Sequence, residues 1–478
     1  MLVDDVVHRF LGGGGDGRGV VLEWHVWGQC IMYIYIYVYI SVYRMTDTIE
    51  PMNAPVVDGT TPSIESDAPS GGCGGENAPQ VVGGVTPLLA GTNLRFPKSN
   101  PLSQLDLKQF TADIEEIREF TKTIPAEDQM AHLNRMVLIS NMFRVIGLAC
   151  AVLAPNPLTW FCLSMYTTMR WTIIGHHTCH GGYDRADETK HYNRFKFGIG
   201  SMRRFMDWFD WFLPEAWNLE HNNYHHFHLG ERTLDPDLVE DNLEIVQKLP
   251  VSDLAKRAIM YCVAIPTWRW AYYASNTYKE LMIREHEKKT DTVVVKGRDT
   301  CMIYKPLIAS RYWFTFGQFF QHVIGPYFLY HYVALPSIAY LINPEWGRNL
   351  LVNTVCAEIL CNIHTFIVVV TNHCGDDVYR FNESYDRTNR GEFYLRQILG
   401  SVNYAYGDDV TDIMHGFLNY QIEHHVFPDM SALTYQRIAP KMRAVCEKHE
   451  IPYIKESVFR RLWKTVDVSV GKTKMLTA

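Results

Sequence analysis

The stretch Leu158-Thr-Trp-Phe-Cys-Leu-Ser-Met-Tyr-Thr-Thr-Met-Arg-Trp-Thr-Ile-Ile-Gly-His-His-Thr-Cys-His180 runs from a long apolar segment straight into three histidines. A bilayer-crossing helix needs about 20 apolar residues, with a lower limit near 17, and residues 158–174 meet that limit. Just upstream, residues 136–153 form a second apolar run, joined to the first by Pro155-Asn156-Pro157. Residues 312–342 and 350–371 repeat the pattern, joined by Asn343-Pro-Glu-Trp-Gly-Arg348. Arg144, Asn141, His322, Pro326 and His331 interrupt individual runs, so the paired arrangement carries more weight than any one run. The expected fold class is an all-α integral membrane protein with four transmembrane helices in two hairpins. A soluble all-helical core is the alternative, and it suits tight turns between long aromatic-rich runs less well.

Two hairpins place residues 175–311 and everything after 372 on one membrane face. Arg185, Lys190, Arg194, Lys196, Arg203 and Arg204 lie there, and the excess of basic residues makes that face cytosolic. Residues 205–213 and 268–273, rich in Trp, Phe and Tyr, read as interfacial helices. Leu107, Phe110, Ile114, Ile117 and Phe120 have helical spacing, which predicts an amphipathic helix within 105–127 on the water side. The expected domains are an extension at 1–95, the amphipathic region at 96–130, a membrane domain at 131–465 and a tail at 466–478.

The extension is rich in Gly, Pro, Ser and Asp and cannot bury enough apolar surface to offset its ordering entropy. Its alternating Tyr-Ile run at 33–40 matches what a TA dinucleotide repeat encodes, which places the true start at Met45 or Met52; a short anchor and a strand are the other readings. A net charge of -7 without a basic stripe argues against nucleic acid as a partner. The 11 cysteines form no CxxC pair, as expected of reduced thiols.

Most unusual is the crowding of the 20 histidines into short windows. His176 and His180 are i and i+4, and His221 and His225 repeat that spacing with His226 beside them; each pair is expected to share one helix face and converge on a metal. In the third cluster Gln421 stands three and four residues before His424 and His425. His373 adds one imidazole at the cytosolic end of the fourth run. The metal ligands expected are therefore His176, His180, His221, His225, His226, His373, His424 and His425. Eight imidazoles exceed the four ligands of one tetrahedral zinc, so two metals are called for. Imidazole alone does not choose among Fe, Zn, Cu and Ni. His177 and Gln421 are further candidates, and Asp235 and Asp237 are candidates for orienting ligand rings. His228, His322, His331, His364 and His415 read as structural or surface histidines. Glu358 and Asn362 lie inside the fourth run, below His373 in helical phase. They are expected to border an acyl tunnel or hydrogen-bond to the metal shell, with an interhelical contact as the rival.

The three clusters resemble the histidine boxes of the membrane fatty acid desaturase family. Gln421-Ile-Glu-His-His-Val-Phe-Pro428 is similar to the third box of front-end desaturases, as are Asp429-Met430, Arg437-Ile-Ala-Pro440 and Leu234-Asp-Pro-Asp-Leu238 around the boxes. The resemblance runs from about residue 130 to 445. It implies four membrane helices under a cytosolic helical cap holding a di-iron site. It further implies O2 as co-substrate, electrons arriving singly from a reduced carrier, and loss of two hydrogens from an acyl chain with oxygen leaving as water. Front-end desaturases carry a fused cytochrome b5 domain marked by His-Pro-Gly-Gly, which this sequence lacks, so a separate cytochrome b5 or a ferredoxin is expected. The second box reads HxxxHH where HxxHH is common, which puts His221 in question. The function expected is an acyl-lipid or acyl-CoA desaturase in the endoplasmic reticulum or a plastid membrane. A hydroxylase or related oxygenase of fatty acyl, sphingoid or carotenoid chains is the alternative. A zinc-binding receptor or transporter is more remote, since transporter ligands would sit near the bilayer midplane.

Overall fold

Asp106 opens the first long helix, its carboxylate accepting from the Lys108 and Gln109 amides, which would otherwise be unpaired. The computed structural model describes residues 88–294, 300–308 and 313–478. The 33–40 run, both candidate start methionines and the first residue of the expected third apolar run, Tyr312, lie outside the described residues. Helix α1 (Leu107–Thr121) buries Phe110, Ile114 and Ile117, the face that the helical spacing predicts. Residues 88–95, expected to belong to the extension, pack into the body through Leu89 and Leu94.

Helix α2 (Ala126–Cys150) is followed by a turn and by α3 (Pro157–Thr168), which continues without a break to Cys179. A second helical run occupies 316–342, and Asn343 then caps helix α5 (Pro344–Thr365); the helix between these runs is α4 (Ala274–Thr290). Among the described residues two helices, Ala126–Cys150 and Pro344–His373, are long and apolar enough to cross a membrane. Leu138, Met142 and Val145 on Ala126–Cys150, and Ile338, Leu341 and Ile342 at the end of the 316–342 run, are exposed apolar side chains, which water would penalise and a lipid phase would not. The protein is mostly helical and membrane-associated.

The two hairpin turns lie at one end of the bundle. Asn353, wholly buried in α5, accepts from the Asn156 amide and the Trp160 indole, and donates to the Ala151 and Leu153 carbonyls. One side chain therefore satisfies four polar groups of a turn that the surrounding apolar residues would leave unpaired. Every histidine cluster sits at the other end.

There the chain adds α6 (Arg390–Leu399), α7 (Gln421–Val426), α8 (Ala432–Lys448) and α9 (Val458–Ser469). The expected boundary between 465 and 466 falls inside α9, and what was expected as a tail pairs as strand β2 (Leu476–Thr477), parallel to β1 (Tyr379–Arg380). All cysteines among the described residues are free.

Glu358 and Asn362 make the interhelical contact that was the rival expectation. Arg269, fully buried, forms ion pairs with Glu358 at 2.9 Å and with Asp210. The other Glu358 oxygen accepts from the Tyr327 hydroxyl, and Asn362 accepts from the Arg269 amide while donating to the Glu358 carbonyl. All four polar side-chain atoms of the pair are thus engaged in a cross-brace between α5 and the 253–290 helical run, and the expected hydrogen bond to the metal shell is not made. Replacing Arg269 with Met leaves two buried carboxylates without their cation. The expected cost is about 3–5 kcal/mol, read as a lower unfolding midpoint in detergent, with Glu358→Gln costing less because its hydrogen bonds can persist.

Candidate metal centre

Two widened helical turns set the histidines. After Thr168 the helix relaxes through Met169–Gly175, so that the His176 amide reaches back five residues to the Trp171 carbonyl. The same happens over Asn218–His225, where the His226 amide donates to the His221 carbonyl at 3.1 Å. Such turns insert a residue into the helical phase and recur at functional sites.

The phase change decides which histidines meet. Eight buried histidines form two clusters: His176, His180, His221, His226 and His424 in one, and His225, His373 and His425 in the other. In the first, Nε2 atoms lie 2.8 Å apart for His176 and His424, 3.1 Å for His221 and His176, 3.1 Å for His424 and His226, and 3.3 Å for His226 and His221. In the second, His425 and His373 are 3.1 Å apart, and the Gln421 amide lies 2.8 and 3.1 Å from their Nε2 atoms. The expected convergence of His221 and His225 on one metal is corrected: the five-residue turn joins His221 to His226 and sends His225 to the other cluster. Adjacent residues on a helix diverge by about 100°. Accordingly His225-His226 and His424-His425 each give one ring to each cluster.

The outward nitrogens explain why the inward ones are bare. His225 Nδ1 donates to Asp235 at 3.0 Å, His425 Nδ1 to Gln397 Oε1 at 3.2 Å, and His373 Nδ1 to the Gly400 carbonyl at 3.2 Å. His424 Nδ1 donates to the Tyr435 oxygen at 3.1 Å, since the Tyr435 hydroxyl itself donates to the Phe427 carbonyl. A proton fixed on Nδ1 leaves the Nε2 lone pair free. Several such lone pairs facing one another at about 3 Å repel unless a cation lies between them. At a metal–nitrogen distance of about 2.1 Å, neighbouring octahedral ligands stand about 3.0 Å apart, so the spacings fit a metal. His180 Nε2 and Gln421 Oε1 are buried without a protein partner.

Asp235 orients His225 as expected, whereas Asp237 accepts from Tyr272. His177 joins neither cluster: its Nδ1 donates to the Ile173 carbonyl one turn back. His228 pairs with Glu231, and His364 and His415 bond to backbone carbonyls, as befits structural histidines. Gln397, Gly400 and Tyr435 had no signal in the sequence, because each supports a ring from a different part of the chain. A cavity of about 730 Å³ reaches His180 from outside, walled by Phe195, Leu219, Phe393 and Val426 with Arg118 and Arg390 at hand.

A family model described as fatty acid desaturase matches residues 154–457. The NADPH-dependent stearoyl-CoA 9-desaturase of Mycobacterium tuberculosis is 22% identical over 375 residues, 76% of this chain and 80% of that one. An acyl-lipid (9-3)-desaturase of Physcomitrium patens is 30% identical over 150 residues, covering 31% of this chain and 25% of the relative. A Delta(8)-fatty-acid desaturase of Borago officinalis is 28% identical over 122 residues, 25% and 26% of the two chains.

Burial first, and then neighbouring histidines, hold His176, His180, His221, His226, His424 and His425 below their ordinary value of 6.5, so these rings are neutral. Burial also pulls on His225, but the Asp235 carboxylate outweighs it and raises that one ring. As pH falls through 6.5 the unfolded chain takes up protons that six rings of the folded, metal-free protein refuse. Stability of the metal-free protein is therefore full above that value and lost below it. Its unfolding midpoint in detergent should drop between pH about 7.5 and about 5.5, and a flat profile would contradict the assignment.

Proposed function

The chain belongs to the fatty acid desaturase family, and we propose that its two histidine clusters hold a pair of irons that serve O2-dependent desaturation of a fatty acyl chain. The observation that carries this reading is the set of bare, inward-facing Nε2 atoms at metal-ligand spacing in two adjoining clusters. His176, His180, His221, His226 and His424 would hold one iron; His225, His373 and His425 would hold the other. With its amide turned so that Oε1 faces the cluster, Gln421 adds an oxygen to the second. When bound, the iron pair would bind and activate O2, whose four-electron reduction to two waters takes two electrons and two protons by way of the carrier and two hydrogens from the acyl chain.

The chain's own residues do the rest. Asp235, Gln397, Tyr435 and the Gly400 carbonyl keep the Nδ1 protons outward, so the Nε2 lone pairs stay available. The aromatic core around Trp171, Trp217, Trp268 and Tyr273 excludes water beside the clusters, which protects a reactive oxidant from side reactions. Glu358 and Asn362, through the Arg269 brace, hold α5 against the 253–290 helical run. The two hairpins would form four membrane helices, with the clusters on the cytosolic side of the endoplasmic reticulum. A separate carrier, cytochrome b5 or a ferredoxin, would deliver electrons. Relatives act on stearoyl-CoA or on acyl lipids by name, and both acyl-CoA and acyl-lipid substrates suit this reading.

Expression in yeast with gas chromatography and double-bond localisation tests it. A new unsaturated acyl chain should appear and vanish with His424→Ala. Purified protein should carry iron in preference to zinc. Hydroxylated product alone would favour the oxygenase, and zinc without iron would overturn both.

A further inference from the structure

His373 is the one clustered histidine that stands at the end of a membrane-length helix, Pro344–His373, where the chain leaves helical geometry at Cys374. The last carbonyls of a helix have no amide partner within it. Here each has a donor from elsewhere. The Thr371 carbonyl accepts from Arg461 Nε at 3.3 Å, and the Asn372 carbonyl from the Val402 amide at 2.9 Å. The His373 carbonyl accepts from Arg380 Nη2 at 2.9 Å, and that of Cys374 from Arg461 Nη2 at 2.8 Å and Thr465 Oγ1 at 3.2 Å.

Both arginines are buried, Arg461 completely, at the negative end of a helix dipole. Each has its own counter-charge. Arg380 meets Glu240 through two bonds of 2.7 and 2.8 Å, and Arg461 meets Asp377 at 2.6 and 2.8 Å. Gly375 supports the same arrangement independently, because a Cβ there would collide with the Arg461 guanidinium. Strand β2 completes the enclosure: the Leu476 amide donates to Val378, the Ala478 amide to Arg380, and Gly375 donates to the Met475 sulfur.

Arg461 lies beyond the family-matched residues, which end at 457. We propose that Arg461, seconded by Arg380, is a positioning residue for His373, so that the 458–478 segment is a working part of the three-histidine cluster. The inference rests on the metal-centre reading above. Shifting the helix end would move the His373 ring away from His425 and Gln421 while the five-histidine cluster keeps all its ligands. One half of the centre should therefore fail before the other.

The test uses full-length protein purified in detergent and loaded with isotopically enriched iron. Wild type should hold two irons per chain. Arg461→Met should hold about one, with one set of Mössbauer lines lost and the other unchanged, and Arg461→Lys should restore part of the loss. Should Arg461→Met fail to give monodisperse protein, Arg461→Lys and Gly375→Ala carry the test. One of the two irons should then leave to a chelator about 10–100-fold faster than in wild type, the range for removing a ligand's supporting contact. Two irons with wild-type spectra and release rates would overturn the proposal. Wild-type protein without iron would instead overturn the metal-centre reading.

Discussion

Six imidazole nitrogens about 3 Å from their neighbours, with those of His180 and His225 within 4.8 Å of the rest of their clusters, make up a buried arrangement that opposes itself. Neutral rings expose lone pairs that repel, and protonated rings would repel more strongly still. A protein can hold such a set only by fixing rings from outside, as it does for His225, His373, His424 and His425, and by offering a cation the inside. Many features at the histidine-bearing end of the fold serve the first requirement. Asp235, Gln397, Tyr435 and the Gly400 carbonyl each take an Nδ1 proton, and burial holds His176, His180, His221, His226, His424 and His425 below their ordinary value. The membrane helices contribute stiffness at the opposite end, where Asn353 ties one hairpin turn to the partner helix.

Buried charge is placed with the same economy. Arg269 between Glu358 and Asp210, Arg380 on Glu240 and Arg461 on Asp377 are each a cation matched to carboxylates in an interior that would not tolerate either alone. None of them belongs to a histidine cluster. They join segments distant in sequence, and the two-pronged contact of Arg380 with Glu240 fixes direction as well as distance. An arginine is suited to this where a lysine is not, because its planar fork can satisfy a carboxylate and a backbone carbonyl at once.

The sequence made much of this legible because its signals are local. The Pro155-Asn156-Pro157 turn and the 107–120 periodicity each lie within one segment and the structure follows them, while of the four apolar runs two fall in helices long and apolar enough to cross a membrane. Histidine spacing marked the ligand-bearing segments for the same reason. What spacing could not supply was phase. An i, i+4 pair shares a face only on a regular helix, and the widened turn at Asn218–His225 gives His221 the neighbour five residues on. Glu358 and Asn362 were noticed as polar residues in an apolar run, but their partner Arg269 stands about ninety positions earlier, beyond the reach of periodicity. The supports of His373 were invisible for that reason too, since Arg461 and Gly375 look unremarkable until the fold sets them side by side.

The two histidine doublets have a further consequence. His225-His226 and His424-His425 each straddle the gap between clusters, and consecutive Cα atoms are 3.80 Å apart whatever the packing does. The distance between the two centres is thus measured twice by covalent bonds. Thermal breathing of the bundle or lateral pressure from lipid can tilt the pair or shift it as a unit, yet has little purchase on their separation. Were a metal held in each cluster, the spacing of the pair would be written into the backbone itself.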